Sequence, residues 1–310
     1  MELRWLERAD VEKLHNLFTL CFDFQTLAKD FFKWKYFDNP AGEALVCGLF
    51  DGTKLIASGA LLPELIDYQG SSKLIYKCTD LMTDPAYRGK GLAKKLVHNL
   101  TKQGLEKSDF LYTVCSKVAT KSFLRADWSY IDKMIYFVRF PLFSLLNTNT
   151  NIIYHRSNFY EVISSFNLPG SENEVKILKE ELLWRVQNPK FNYGMYELVE
   201  QGISHFIVFS ELNRSVQLVY FTTYSSEKTL KMLFGRLHTD ARKTNRKVIS
   251  LLPANTHYFS FFIKKGYLTN LFSFGRMQSL LDFNFISTQN DVDFISFFER
   301  KLSMLNYDDV

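Results

Sequence analysis

The chain has 310 residues, of which 46% are hydrophobic and 23% charged, and its formal net charge is +5. That balance supplies a sizeable core for one large or two ordinary domains and excludes a disordered or low-complexity chain. The positive charge is spread along the sequence without a Lys/Arg block, which argues against a nucleic-acid arm, and no apolar run approaches the ~20 residues of a membrane span.

The opening "MELRWLERADVEKL" has no apolar signal core and starts with a short strand over residues 2–7. A helix follows in "RADVEKLHNLFTLCF", with Asp10 at its N-cap and Val11, Leu14, Leu17 and Phe18 at helical spacing. "LAKDFFKWKYF" reads as a second helix, stopped by Asn39-Pro40. "EALVCGLF" and "KLIASGALLPELIDY" flank Asp51-Gly52 and read as a hairpin, and "LIYKCTDLMT" is a further strand. Next come the turn "DPAYRGKG" and a helix from Leu92 to about Glu106, whose Leu92, Ala93, Leu96, Val97 and Leu100 share one face. "DFLYTVC" is a strand, "KVATKSFLRA" a short helix and "YIDKMIYFVRF" a strand. Residues 142–175 are less patterned and hold the expected boundary between domains at 1–145 and 146–310.

The second half echoes the first. "WKYFDNP" is answered by "WRVQNP", and strands follow in "FNYGMYELVE", "SHFIVFS" and "SVQLVYFTT". A helix from about Glu227 to Lys243 then aligns Leu230, Leu233, Phe234, Leu237 and Ala241, "VISLLP" is a strand, and "FSFFIKKGY" parallels "TKSFLRADW". The order predicts an α/β (α+β) fold with an internal duplication, each copy a mixed, mostly antiparallel sheet flanked by helices.

Arg88, Gly89 and Gly91 stand at the mouth of a helix. The first N–H groups of a helix lack partners within it, and they sit at the positive end of its dipole, where phosphates bind. Glycine lets the backbone approach an anion closely and take positive φ. Arg88–Ala93 therefore reads as a diphosphate-binding turn, although glycine turns also precede ordinary helices. The spacing matches neither G-x-x-x-x-G-K-[ST] nor G-x-G-x-x-G, which disfavours a nucleoside triphosphate or a dinucleotide.

"LMTDPAYRGKGLAKKL" resembles the signature of the GNAT superfamily of acyl-CoA-dependent N-acyltransferases, (Arg/Gln)-x-x-Gly-x-(Gly/Ala), with Arg88, Gly91 and Ala93 at the pattern positions. The resemblance covers most of residues 1–140 and, more faintly, 180–280, so it implies a tandem GNAT. It implies acetyl-CoA as the cofactor, its pyrophosphate held by Arg88, Gly89, Lys90, Gly91, Leu92 and Ala93. It assigns pantetheine contacts to the backbone of Leu81, Met82 and Thr83. A second family pattern, N-x-x-A-x-x-x-Y-x-x-x-G-F, falls on Ser116, Ala119, Phe123, Asp127 and Trp128, and again on Asn255, Tyr258, Phe262, Gly266 and Tyr267. The tyrosine that serves the family as general acid is phenylalanine in both copies. The second copy also lacks the glycine turn, and Glu227 stands where a phosphate would, so only the first is expected to bind the cofactor.

Amine acylation needs a neutral amine, a proton for the departing thiolate and a donor to the carbonyl oxygen, for which a backbone amide beside Met82 is suited. Asp80 is the candidate base, against its alternative as a surface or capping carboxylate. Tyr112 and Tyr130 are candidates for the missing acid, against simple packing. Asp84, before Pro85, reads as a turn residue. The six histidines show no metal spacing, so no metal is expected. Cys21, Cys47, Cys78 and Cys115 form no C-x-x-C pair and read as reduced thiols, which favours the cytoplasm. The expected enzyme is an N-acetyltransferase, monomeric or homodimeric, acting on a small-molecule amine; "FFKWKYFDNPAG" resembles the acceptor-side helix of GNATs from sugar pathways and suggests an amino sugar. The alternatives are a non-catalytic CoA-binding or scaffolding protein and a tRNA-dependent aminoacyl transferase.

Overall fold

Two hairpins build the first sheet. β1 (Glu2–Leu6) pairs antiparallel with β2 (Leu45–Asp51), which turns through Gly52 at φ +58° into β3 (Lys54–Tyr68). Gln69 and Gly70 then both take positive φ, the requirement of a tight two-residue hairpin turn, and return the chain as β4 (Ser71–Thr83). The computed structural model describes residues 1–22, 27–141, 151–253, 256, 258–269, 283–288 and 295. They divide into two units, one from Met1–Asp132 with Asn188–Lys190 and the strand Phe283–Ser287, the other from Lys133–Gln187 and residues 191–269.

In the first unit α1 (Val11–Cys21) buries Val11, Leu14, Leu17 and Phe18 and packs on β3, β4 and α2 (Lys29–Phe37). Asp10 sits at the N-cap of α1, but its carboxylate accepts from the Glu7 amide and the Lys13 ammonium rather than from an amide of that helix. Asn39 ends α2: its Oδ1 accepts from Ala41 N at 2.9 Å and its Nδ2 donates to Pro63 O at 3.0 Å. α3 (Leu92–Leu105) packs on β2, β3 and β4. It buries Leu92, Leu96, Val97 and Leu100, each of which contributes about 1.5–3 kcal/mol by leaving water. β5 (Leu111–Ser116) and α4 (Lys117–Leu124) complete the unit, and the sheet runs β1-β2-β3-β4-β5 and on to Phe283–Ser287.

The second unit contains β6 (Ser129–Arg139), which begins in the first, then β7 (Ile153–His155), α5 (Phe159–Ser165), α6 (Glu172–Arg185), β8 (Asn192–Glu200), β9 (Ile203–Glu211) and β10 (Ser215–Phe221). α7 (Glu227–Lys243), β11 (Lys247–Pro253), α8 (Phe259–Lys264) and β12 (Leu268–Thr269) follow. Its sheet runs β6-β11-β10-β9-β8-β7, with β12 also on β6. One face carries α7 and α8 over Phe137, Leu218, Phe234 and Phe262; the other carries α5 and α6 over Ile163, Leu182, Met195 and Phe206. The segment that read as unpatterned holds β7, α5 and the start of α6, whose Ser171 caps Glu174 N at 3.0 Å. In both units the sheet is antiparallel but for one parallel pairing, β4 with β5 and β10 with β11.

Candidate active site

β4 is irregular where the motif begins. Its register on β3 jumps from Ala60↔Thr79 to Ser58↔Met82, so Asp80 and Leu81 together face the single residue Gly59. That is a bulge, and Asp80 takes the left-handed φ of +51° that Asp tolerates better than most residues. Gly59 makes room for it: a Cβ there would lie 3.2 Å from Leu81 Cδ1 and 3.0 Å from Leu100 Cδ1. The parallel pairing of β4 with β5 consists of Tyr76↔Leu111 and Lys77↔Tyr112. One residue on, the Thr113 hydroxyl donates to Cys78 O at 2.8 Å, and the rest of β5 pairs on its other side with Phe283–Ser287. The two strands thus part just before the bulge.

The turn after β4 is pinned and then left open. Asp84 Oδ1 accepts from Ala86 N at 2.9 Å, and Asp84 Oδ2 pairs with Lys54 Nζ at 2.7 Å, which lowers the carboxyl pKa. Asp84 is therefore a turn residue. Arg88 Nε donates to Thr83 O at 3.3 Å and the Lys90 ammonium lies over the Tyr87 ring. Gly89 and Gly91 take φ of +79° and +73°, and a Cβ built on either would meet nothing within 4 Å. Gly91 is the N-cap of α3 and offers no side chain to its first-turn amides. Exposed donors, an open approach and the cations Arg88 and Lys90 make this end of α3 fit a diphosphate.

The candidate contact residues sit on both sides of the parting strands. Leu81, Met82 and Thr83 end β4, and Arg88–Ala93 carry the chain into α3. On the β5 side Ser116 caps α4 through Ala119 N at 3.5 Å, while Phe123 is buried and packs on Trp128 at 4.9 Å between ring centroids. Phe123 has no hydroxyl to offer.

Asp80 is the centre of a buried polar cluster. Its Oδ2 accepts from the Tyr36 hydroxyl at 2.6 Å and pairs with Lys35 Nζ at 2.7 Å. The Lys35 side chain is 1% exposed and that of Asp80 17%. Tyr112 lies one strand over, fully buried, its hydroxyl donating to Glu64 Oε2 at 2.6 Å. Tyr130, at the start of β6, is 51% exposed. Lys35 and Tyr36 were not singled out from the sequence. Inside "FFKWKYF" they look like surface and core, and only Lys35 falling on the aromatic face of the helix hints at a buried charge. All four cysteines are free thiols, and burial pushes Cys47 up to about 12 and Cys115 up to about 11, which leaves neither a ready nucleophile.

α7 starts differently from α3. Its N-cap Ser226 accepts from Thr229 N at 3.1 Å, and the Thr229 hydroxyl continues to Glu200 Oε2. Glu227 follows in the first turn, paired with Lys231. One of the first-turn donors is thus already engaged, beside a negative charge. In the second copy of the other motif Phe262 is buried, Gly266 takes φ of +78° and the Tyr267 hydroxyl meets His238 Nε2 at 2.8 Å; Asn255 lies outside the described residues.

Residues 2–120 match the family model described as an acetyltransferase (GNAT) domain. No curated protein matches the sequence. Among solved structures, a tandem GNAT protein from the clavulanic acid biosynthesis pathway superposes with a TM-score of 0.63 at 12% identity, over 92% of this chain and 97% of that one. A GCN5-related N-acetyltransferase from Anabaena variabilis gives 0.62 at 13% identity, and a probable N-acyltransferase from Enterococcus faecalis 0.61 at 10%, each over 92% of this chain and 72% of its own. At these identities the superpositions speak for the fold, a GNAT-like domain followed by a second. By this match the N-terminal domain is a GNAT acetyltransferase domain, and the chain as a whole shares the fold of tandem GNAT proteins.

Proposed function

We propose that the protein is an acetyl-CoA-dependent N-acetyltransferase acting on a small-molecule amine, with an amino sugar as the first class to test. The open, side-chain-free N-terminus of α3, beside parting strands and a β4 bulge, carries the reading. Residues 1–145 form the working domain and 146–310 a domain without a cofactor, because Ser226 engages an α7 first-turn donor and Glu227 places a negative charge beside the rest.

Bound acetyl-CoA supplies an acetyl thioester. The amides of the first α3 turn, with Arg88 and Lys90, hold its diphosphate, and the backbone of Leu81–Thr83 aligns the pantetheine. An amide beside Met82 donates to the carbonyl oxygen as charge develops there. Asp80 takes a proton from the amine, directly or through water, and its distorted backbone fixes where its carboxylate sits. Lys35 and Tyr36 hold that carboxylate. With Phe123 in place of a tyrosine, the thiolate takes its proton from Tyr112, Tyr130 or water.

Calorimetry with CoA and thiol release from acetyl-CoA over a panel of amino sugars, polyamines and amino acids test the reading. The wild type should bind CoA and release thiol with at least one amine. Gly91→Val puts a branched side chain where φ is +73° and should weaken CoA binding at least tenfold. CoA binding without turnover on any amine would favour a non-catalytic CoA-binding protein, the reading that buried Phe123 supports. Absence of CoA binding would remove both. The retained glycine turn ranks a tRNA-dependent aminoacyl transferase below either. The four free thiols suit a cytoplasmic protein, and no described helix is long and apolar enough to cross a membrane. A monomer or homodimer is expected.

A further inference from the structure

The second unit has a concave site that the acyl-transfer chemistry does not use. It is a cavity of about 260 Å3 on the sheet face beneath the C-terminal half of α7. Gly194 on β8 lets the rings of Phe209 of β9 and Tyr154 of β7 lie close over the strand: a Cβ there would meet Phe209 Cε2 at 2.6 Å and Tyr154 Cε2 at 3.1 Å. The rings of Tyr154 and Phe209 are parallel to within 8°, with centroids 6.4 Å apart, and the Tyr196 ring lies 5.2 Å from each. The floor is therefore three aromatic rings, a surface that favours a flat, apolar body.

The rim decides the charge of the ligand. Asp240 Oδ2 accepts from the Tyr196 hydroxyl at 2.6 Å and from Arg236 Nε at 2.7 Å, and Asp240 Oδ1 pairs with Lys243 Nζ at 3.1 Å. Glu211 Oε2 accepts from Arg246 Nη1 at 3.1 Å, and Glu211 Oε1 from the Tyr154 hydroxyl at 3.4 Å. Each carboxylate oxygen already has a donor. The cations keep capacity in reserve: Arg246 gives Glu211 one of its five N–H groups and Lys243 gives Asp240 one of three. The side chains of Arg246 and Lys243 are 27% and 65% exposed at the mouth, within reach of a ligand. Spare donors over an aromatic floor select an anion with a planar body. A cationic ligand would meet a rim where Arg236, Lys243 and Arg246 outnumber Asp240 and Glu211.

We propose that the second unit binds a small aromatic carboxylate, its ring on Tyr154, Tyr196 and Phe209 and its carboxylate at Arg246 and Lys243. The volume suits one or two fused rings. This site is independent of the first unit's reaction and stands whether or not the protein transfers acetyl groups.

The test is calorimetry of the full chain with 1-naphthoate, alongside 1-naphthalenemethanol and 1-naphthalenemethylamine as neutral and cationic probes of the same shape. The naphthoate should bind saturably at one site, and both analogues at least tenfold more weakly. Arg246→Gln and Tyr154→Ala, at partly exposed positions, should each weaken naphthoate at least tenfold, with thermal melts reporting whether the fold persists. Should Tyr154→Ala fail to fold, Lys243→Gln takes its place and should cost at least threefold. Gly91→Val should leave naphthoate binding unchanged. The proposal is overturned if naphthoate does not bind, if the amine binds as tightly, or if Kd is indifferent to the rim and floor variants. Displacement of naphthoate by CoA would likewise overturn it, by placing the ligand in the first unit.

Discussion

Asp80→Asn isolates charge at the candidate site. Asn tolerates the left-handed backbone at this position as Asp does and keeps the side chain's shape, so the bulge should persist. What changes is the environment of Lys35, whose buried ammonium lies 2.7 Å from the Asp80 carboxylate. Removing one member of a buried ion pair costs about 3–5 kcal/mol, because the remaining charge stays desolvated and has lost that counter-charge. Lys35→Met is the gentler change: the Asp80 side chain reaches solvent, keeps the Tyr36 hydrogen bond, and the loss should be about 1–3 kcal/mol. The double variant carries neither charge and should recover at least about 2 kcal/mol against the sum of the singles. Urea unfolding followed by fluorescence, with the four chains compared at one pH, measures the cycle. The reasoning fails if Asp80→Asn costs less than 1 kcal/mol and the two changes add. In the acyl-transfer reading Asp80→Asn also removes the base, so turnover should fall at least a hundredfold while CoA affinity holds. Lys35→Met, which leaves the carboxylate in place, should lose much less turnover.

Two further outcomes follow from the second unit. Ser226→Ala removes the α7 cap and should cost about 1 kcal/mol of stability by urea unfolding, with CoA affinity unchanged; a fall in that affinity would move the cofactor site to α7. His238 is buried against the Tyr267 hydroxyl, and burial holds its pKa well below the usual histidine value. The unfolded chain takes up a proton below about pH 6.5 while the folded chain resists it, so stability present above that pH is lost as the pH falls. A pH series of urea midpoints should show this decline between about pH 6.5 and 5 in the wild type and a flatter curve in His238→Gln; parallel curves would contradict it.

The order of elements was legible because hydrophobic period and turn residues act locally. Val11, Leu14, Leu17 and Phe18 fixed one helix face, and Asp51-Gly52 one hairpin. The duplication shows in pairs the sequence only hinted at: Asn39 and Asn188 each accept from an amide two residues on, Ala41 N and Lys190 N at 2.9 Å. Lys35 and Arg185, each following a tryptophan, are both buried. The bulge at Asp80 and the partnership of Asp80 with Lys35 and Tyr36 could not be read in advance. They depend on which strand lies opposite and which helix lies above, at sequence separations of 44 and 45. The short α5 was missed for a related reason: two turns carry too few residues to establish a period.

In the acyl-transfer reading, the two helices that follow the third hairpin strand of each copy account for a cofactor in one copy and none in the other. A helix N-terminus has about four unpaired donors, and each can serve a side chain or a ligand. Ser226 engages the Thr229 amide; Gly91, at an angle a serine would resist, leaves the first-turn donors of α3 without a side-chain cap. Choosing glycine over serine at a cap sacrifices only a few tenths of a kcal/mol. A charged diphosphate held by several amides and two cations gains far more than that sacrifice. The exchange runs the other way once a cap is in place, because a ligand must then displace an intramolecular hydrogen bond and face Glu227. In that reading a domain that acquires the serine keeps its fold and gives up the anion, and the aromatic hollow beneath α7 is left to serve another ligand.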